Sequence, residues 1–385
     1  MTMTEKLKEQ EDRYQLPTYA KFPFFIDRGE GCYVFDEKGT RYLDLYGAHA
    51  VASTGHCHPH VVKAIQKQAA QLIFYSNVSY NSARARAVAK LIKLAGPPYY
   101  QAFLGNSGGE ANENVLKLAR AATGRGEVIS LEGSFHGRSY GALSATGISK
   151  YREYLNTPVP MHRVVSQEEV VQNISDETAA VLIEPIQSMG GVQEIGFDRL
   201  KEIQAACQAH GALMIFDEIQ TGVARTGSFL YSGHEGIYPD LVSLAKGIAS
   251  GFPAGAVLVT EQLAAGVQKG DLGSTFGGGP LSCAAMEATL EVIESENLIE
   301  NAARMGRYLK EKLMELPIVQ EVLGRGLLVG VRVAEGTTAK ELQGVLLKQH
   351  ILAGSSLDPQ VLRMMPPLTI TTREVDLLVE AVKTA

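Results

Sequence analysis

The stretch Ala212-Leu-Met-Ile-Phe-Asp217-Glu218-Ile219-Gln220, answered further on by Asp240-Leu-Val-Ser-Leu-Ala-Lys246-Gly247, decides how this chain folds. Each is a short apolar run that ends in charged residues. Continuous Leu, Ile, Val and Phe, without polar alternation, is the pattern of a strand covered on both faces. Comparable runs stand at 101–105, 127–131, 179–184 and 255–259, with helical stretches between them. In Phe197–His210, for instance, Leu200, Ile203, Ala206 and Cys207 fall on one helical face. This alternation predicts an α/β fold, a mainly parallel sheet with helices on both sides. Ligands of such sheets gather beyond the carboxyl ends of the strands, where these acids and this lysine fall.

Outside that region the pattern changes. Short strand-like pieces near 32–36 and 42–45 flank the turn Lys38-Gly39. Towards the other end come a long helix over 298–316 closed by Pro317, a strand over 324–333 and a last helix from about Thr372. We expect both ends to form one small α+β domain, with 1–50 its first segment and 286–385 its second, around a large cofactor-binding domain at 51–285. The 385 residues are 45% hydrophobic and 20% charged, with a net charge of −6. That balance offers no basic footprint for nucleic acid. No apolar run approaches a membrane span, and residues 1–15 lack the apolar block of a signal peptide. Cys32, Cys57, Cys207 and Cys283 are scattered without a CxxC pair, which points to a reducing cytoplasm. The cluster His56-Cys57-His58-Pro59-His60 has no second ligand pair, so no metal is expected; a turn followed by a helix over 60–72 is.

Three segments carry chemistry. Ser107-Gly108-Gly109 follows one strand and precedes a helix that starts near Glu110; glycines and free helix-start N–H groups suit a phosphate. A plain capped turn would look the same. Asp217 could hold a pyridinium nitrogen in its protonated form, or belong to a structural ion pair with a Lys or Arg. Lys246 could be a snorkelling side chain, or, once desolvated beside another cation, a nucleophile for aldehyde chemistry. One helix and one strand separate the acid from the lysine, so both can emerge at neighbouring strand ends. Phosphate cradle, ring-nitrogen acid and Schiff-base lysine thus meet at one sheet edge.

The runs Asp217-Glu-Ile-Gln-Thr-Gly and Leu244-Ala-Lys-Gly-Ile resemble the signature of the class III aminotransferases of fold type I, which depend on pyridoxal 5′-phosphate. Gly55-His-Cys-His-Pro59, Asn106–Glu113, Phe135-His-Gly-Arg138, Glu184-Pro-Ile-Gln187 and Ser274-Thr-Phe-Gly-Gly278 extend the resemblance along almost the whole chain. The resemblance implies a large domain with a seven-stranded sheet and a homodimer with shared active sites. It also implies that Gln220 bonds the cofactor's phenolic oxygen, that Phe135 stacks on the ring, and that Glu184 joins the cofactor contacts. Thr275 would reach the phosphate of the neighbouring subunit's cofactor.

Phe135–Arg138 and Val361-Leu-Arg363-Met-Met-Pro-Pro-Leu are similar to the branch that acts on acetylornithine and succinylornithine. In that branch the residue matching Arg138 clamps the carboxylate of the acylated ornithine and the one matching Arg363 the α-carboxylate of glutamate, with Ser274 among the substrate contacts. Bidentate arginine forks suit such partners. The implied reaction transfers the δ-amino group of N2-acetyl- or N2-succinyl-L-ornithine to 2-oxoglutarate in arginine biosynthesis. Other class III ω-aminotransferases, acting on ornithine, 4-aminobutyrate or a lysine-pathway donor, are the alternative. Ser188-Met189 stands where many members have Gly-Glu, Gly109 where Ala or Thr is frequent, and Gly279 where Asn is common. The stretch Asp44-Leu-Tyr-Gly-Ala-His-Ala-Val51 resembles an acyl-ornithine branch that also lacks that glutamate.

Overall fold

The computed structural model describes residues 3–153 and 155–384. Its centre is a seven-stranded sheet: β1 (Tyr99–Gly105), β2 (Glu127–Leu131), β3 (His162–Val165), β4 (Thr178–Ile183), β5 (Leu213–Asp217), β6 (Leu241–Leu244) and β7 (Gly255–Thr260). Across the sheet the order is β1-β7-β6-β5-β4-β2-β3. β7 runs antiparallel to both of its neighbours, and the remaining pairs are parallel. The mainly parallel α/β sheet expected from the apolar runs is therefore present.

Burial on both faces explains the unbroken apolar runs. Ala180, Leu182 and Ile215 pack under the helix Gly108–Thr123 with its Ala111, Val115 and Leu118. The alternate residues Val181, Ile183, Met214 and Phe216 pack the other way, against Leu200, Ile203 and Cys207 of Phe197–His210. Each such side chain contributes about 1.5–3 kcal/mol when fully buried. One register step would swap the two sets, so the register is held from both sides.

The chain ends share structure. Ile351–Leu352 pairs in parallel with Arg41–Asp44, which continues into Tyr33–Asp36 and Ile26–Glu30. Two expectations needed correction. The strand over 324–333 is a hairpin, Val319–Arg325 against Leu328–Val333, because Gly324 and Gly326 both take positive φ and reverse the chain. β3 was not anticipated; its four residues, His-Arg-Val-Val, carry too little apolar pattern. Among the described residues, no helix is long and apolar enough to cross a membrane, and no group of metal-ligating side chains occurs.

Candidate active site

One edge of the sheet collects the chemistry. β5 ends on Asp217, β6 is followed by Lys246, β4 by Glu184 and β1 by Ser107, while the reversed β7 begins there at Gly255. These elements enclose a cavity of about 320 Å³ lined by Ser107, Gly108, Gly109, Phe135, Glu184, Asp217, Gln220 and Lys246, among others. Eight of the predicted residues thus meet in one place.

Asp217 is only 3% exposed. Its Oδ2 accepts hydrogen bonds from Asn112 Nδ2 at 2.7 Å and from the Nδ1 of His136 at 2.8 Å, and its Oδ1 accepts the N–H of Ile219 at 3.1 Å. Among the described residues neither Lys nor Arg hydrogen-bonds it, so its partners are not those of the Lys or Arg ion-pair alternative. Asn112 also donates to the carbonyl of His136 at 2.6 Å and accepts from Ser243 Oγ at 2.6 Å. The buried carboxyl is thereby fixed by hydrogen-bond donors, and the buried His136 Nε2 has no partner among the described residues.

Lys246 opens a short 3-10 turn, Lys246–Ala249, with φ at +47°, a conformation costly for a residue with a side chain. Burial, with Arg363 adding repulsion, lowers the amine's pKa against the pull of Asp217 and Glu184. Burial first, and Asp217 second, hold the Glu184 carboxyl above its usual range; the N–H of Phe135 donates to its Oε1 at 2.6 Å. A neutral amine is the nucleophilic form.

The glycine segment caps a helix and keeps its first turn close to neighbouring elements. Ser107 Oγ accepts the N–H of Glu110 at 3.2 Å, starting the helix at Gly108, two residues before the expected point. A Cβ on Gly108 would stand 2.7 Å from Ile219 Cδ1, and one on Gly255 would stand 2.6 Å from the Ser107 carbonyl oxygen. Chemically, the edge offers a helix start for an anion, an amine for a carbonyl and a carboxylate for a protonated ring nitrogen.

The remaining predicted residues lie outside the cavity lining. Arg363, 2% exposed, donates from Nη1 to Ser188 Oγ at 3.0 Å and from Nη2 to the Tyr46 hydroxyl at 3.4 Å, while its buried Nε has no partner. These described partners are neutral hydroxyls, an unusual setting for a buried cation. Arg138 is exposed, its guanidinium 4.1 Å from the Tyr151 ring centre and 5.6 Å from that of Phe135. Ser274 Oγ donates to Glu110 Oε1 at 2.6 Å and accepts from Asn106 Nδ2 at 3.0 Å. Thr275 is exposed.

The sequence model of the aminotransferase class-III family matches residues 14–385. The chain belongs to the class-III aminotransferases. It is 42% identical to the acetylornithine aminotransferase of Archaeoglobus fulgidus over 97% of this chain and 98% of the relative. With that of Methanopyrus kandleri it shares 41% identity over 96% of each. A solved ornithine aminotransferase of Toxoplasma gondii, described with PLP at partial occupancy in its active site, superposes with a TM-score of 0.92 at 29% identity, covering 100% of this chain and 94% of that one. This class-III aminotransferase also uses residues that motif reading passed over. Asn112 stands inside a quoted motif but was given no role, because its partners are distant in sequence. Ser188 was legible only as a departure and Tyr46 only within the resembling stretch Asp44–Val51, with no sign that both bond Arg363.

Proposed function

We propose that this chain transfers the δ-amino group of N2-acetyl-L-ornithine to 2-oxoglutarate, with pyridoxal 5′-phosphate as cofactor. The observation that carries the reading is one buried cavity holding Lys246, Asp217 and the Ser107–Gly109 helix start. The residues fit the cofactor. Gly108 and Gly109 leave room and first-turn N–H groups for its phosphate, and Asp217, already oriented by Asn112 and His136, suits its ring nitrogen. Phe135 would stack on the ring, Gln220 would meet its phenolic oxygen, and Glu184 would border it. When bound, the group supplies an aldehyde for amines and a protonated ring that withdraws electrons.

The chain's own residues do the rest. Lys246 Nζ, whose pKa burial lowers, is the base that takes the proton from the donor's amine-bearing carbon. Asp217, held by Asn112 and His136, stays aimed at the place of the ring nitrogen. Arg363 receives the α-carboxylate of glutamate or 2-oxoglutarate; Arg138, braced on Tyr151, receives that of the acylated ornithine, with Ser274 nearby. The near full-length similarity to two acetylornithine aminotransferases supports the acetyl donor.

The enzyme works as a homodimer in this reading. Thr275 is exposed, and Phe276 beside it packs on Phe74 with ring centres 5.1 Å apart, in an exposed apolar stretch that includes Ile73, Tyr75, Val78 and Tyr80. A partner there would receive Thr275 at its own phosphate. The sheet shared by the chain ends supports 1–50 with 286–385 as the small domain, and four free cysteines support the cytoplasm. The test is a panel of acetylornithine, succinylornithine, ornithine and 4-aminobutyrate with 2-oxoglutarate, following glutamate. Acetylornithine should give the highest kcat/KM, and Lys246→Ala should abolish both turnover and the visible absorbance of the bound cofactor. Unchanged absorbance in that variant would end the proposal.

A further inference from the structure

The stretch Asp44–Val51 holds an uncommon backbone. Gly47, Ala48, His49 and Ala50 all take positive φ, at 55°, 48°, 68° and 65°. A left-handed turn is unfavourable for each residue with a Cβ, and such strain persists where surrounding contacts impose it. Here Asp44 Oδ1 accepts the N–H groups of Tyr46 at 3.0 Å and Gly47 at 2.9 Å. A Cβ on Gly47 would stand 2.3 Å from the Met365 carbonyl oxygen, so the turn is pressed onto the end of the strand that carries Arg363.

The turn brings His49 back over Tyr46. The Tyr46 hydroxyl lies 2.5 Å from His49 Nδ1 and accepts from Arg363 Nη2 at 3.4 Å. One oxygen therefore links a titratable ring to a buried guanidinium that has no carboxylate among its described partners. While His49 is neutral, its Nδ1 can accept the phenol's hydrogen, and the oxygen faces Arg363 as an acceptor. Once His49 is protonated it must donate to that oxygen, which frees the Tyr46 O–H for a different acceptor. The proton comes from solvent; no bond other than N–H forms.

We propose that His49, acting through the Tyr46 hydroxyl, is a positioning residue for the carboxylate that Arg363 receives and strengthens its binding as pH falls. The proposal rests on the reading of Arg363 as carboxylate receptor. Ser188 Oγ, accepting from Nη1, holds the other side of the fork without neutralising it. No carboxylate among the described residues hydrogen-bonds the receptor, and its affinity is set by a hydroxyl that changes direction.

The charges around His49 fix the sign. Burial, then Arg363 on its strand and Lys246 on the 3-10 turn, lower its pKa below 6.5, against Asp44 on the strand below. Tyr151 faces the Tyr46 phenol, and Glu184 faces Arg363. An added carboxylate must raise the His49 pKa, so binding takes up a proton between the free and bound values. Affinity falls as pH rises through the bound value.

The experiment uses holoenzyme and glutarate, a dicarboxylate with no carbonyl to react. Glutarate binding is followed by calorimetry from about pH 5.5 to 8 in buffers of different ionisation enthalpy, alongside KM and kcat for 2-oxoglutarate. The wild type should take up a fraction of a proton and lose roughly fivefold or more in affinity across that range. His49→Asn, chosen because Asn tolerates positive φ, should lose both the uptake and the pH slope, with KM changing more than kcat. Tyr46→Phe should lose them too, since only the hydroxyl is removed. Proton uptake of equal size in wild type and His49→Asn would overturn the proposal, as would Tyr46→Phe retaining the slope. The underlying reading fails separately, if Arg363→Gln binds glutarate as tightly as the wild type.

Discussion

Asp217 shows how a buried carboxyl group is aimed by hydrogen-bond donors from other elements. Asn112 bridges it to Ser243 Oγ and to the His136 carbonyl, so one side chain completes three hydrogen bonds in a closed interior. Replacing it by a similar-sized apolar residue strands the His136 carbonyl and the Ser243 hydroxyl and leaves Asp217 Oδ2 to His136 alone. Each unmet group costs about 1–3 kcal/mol, so Asn112→Leu should lower the unfolding free energy by roughly 3 kcal/mol or more in denaturant titration. Because Asp217 also loses aim, cofactor affinity should fall with it. Arg363→Lys tests geometry rather than charge. The ammonium cannot reproduce the fork held between Ser188 and Tyr46, and KM for 2-oxoglutarate should rise roughly tenfold.

Glu218 makes the opposite use of burial. It bonds the N–H groups of Tyr231 at 2.6 Å and Ser232 at 3.3 Å, and burial lifts its pKa to about 7 despite them. A carboxyl whose folded pKa lies above its unfolded value favours folding most at low pH, and that contribution is lost as pH rises from the unfolded value through the folded one. Stability should therefore decline by about 3 kcal/mol from this group between about pH 4.5 and 7. In Glu218→Gln the decline should be absent when unfolding is measured across the same range.

At the level of elements, the start of the helix Gly108–Thr123 is where packing and binding constrain the same atoms. Gly255 opens β7 against the Ser107 backbone, so Gly255→Ala pushes on a carbonyl rather than on a yielding side chain. The expected result is a loss of about 1–3 kcal/mol in stability together with weaker cofactor phosphate binding; an unshifted affinity would show that the cradle lies elsewhere. The same elements show what the sequence made legible. β5 and the helix Phe197–His210 were readable to the residue because burial on both sides leaves an unmixed apolar signal. β3 was not, since half of its four residues are His and Arg. The hairpin over 319–333 was read as one strand because Gln320 and Glu321 dilute the signal of Val319 and Val322. In the site, the residues proposed to meet the cofactor, such as Lys246 and Asp217, could be recognised by chemistry. Asn112, Tyr46 and Ser188 act on other side chains, and the contact of Tyr46 with Arg363 spans almost the whole chain.

Over the whole molecule, the surface carries a demand that a single chain leaves unmet. Val78 is 87% and Tyr80 105% exposed, next to exposed Leu72, Ile73, Tyr75 and Phe276. In the proposed homodimer these exposed apolar residues would form the interface, with Thr275 adjoining Phe276. An isologous contact would put the same patch on both subunits and present each Thr275 to the other. Val78→Asp with Tyr80→Asp should then shift the protein from dimer to monomer in sedimentation. The fold of each chain should survive, because neither side chain is packed within its own subunit. Activity and cofactor affinity should fall together with the dimer fraction and recover at higher protein concentration, as mass action requires. A doubly substituted protein that remains dimeric would move the interface elsewhere. A monomer with full activity would show instead that Thr275 serves no neighbouring site.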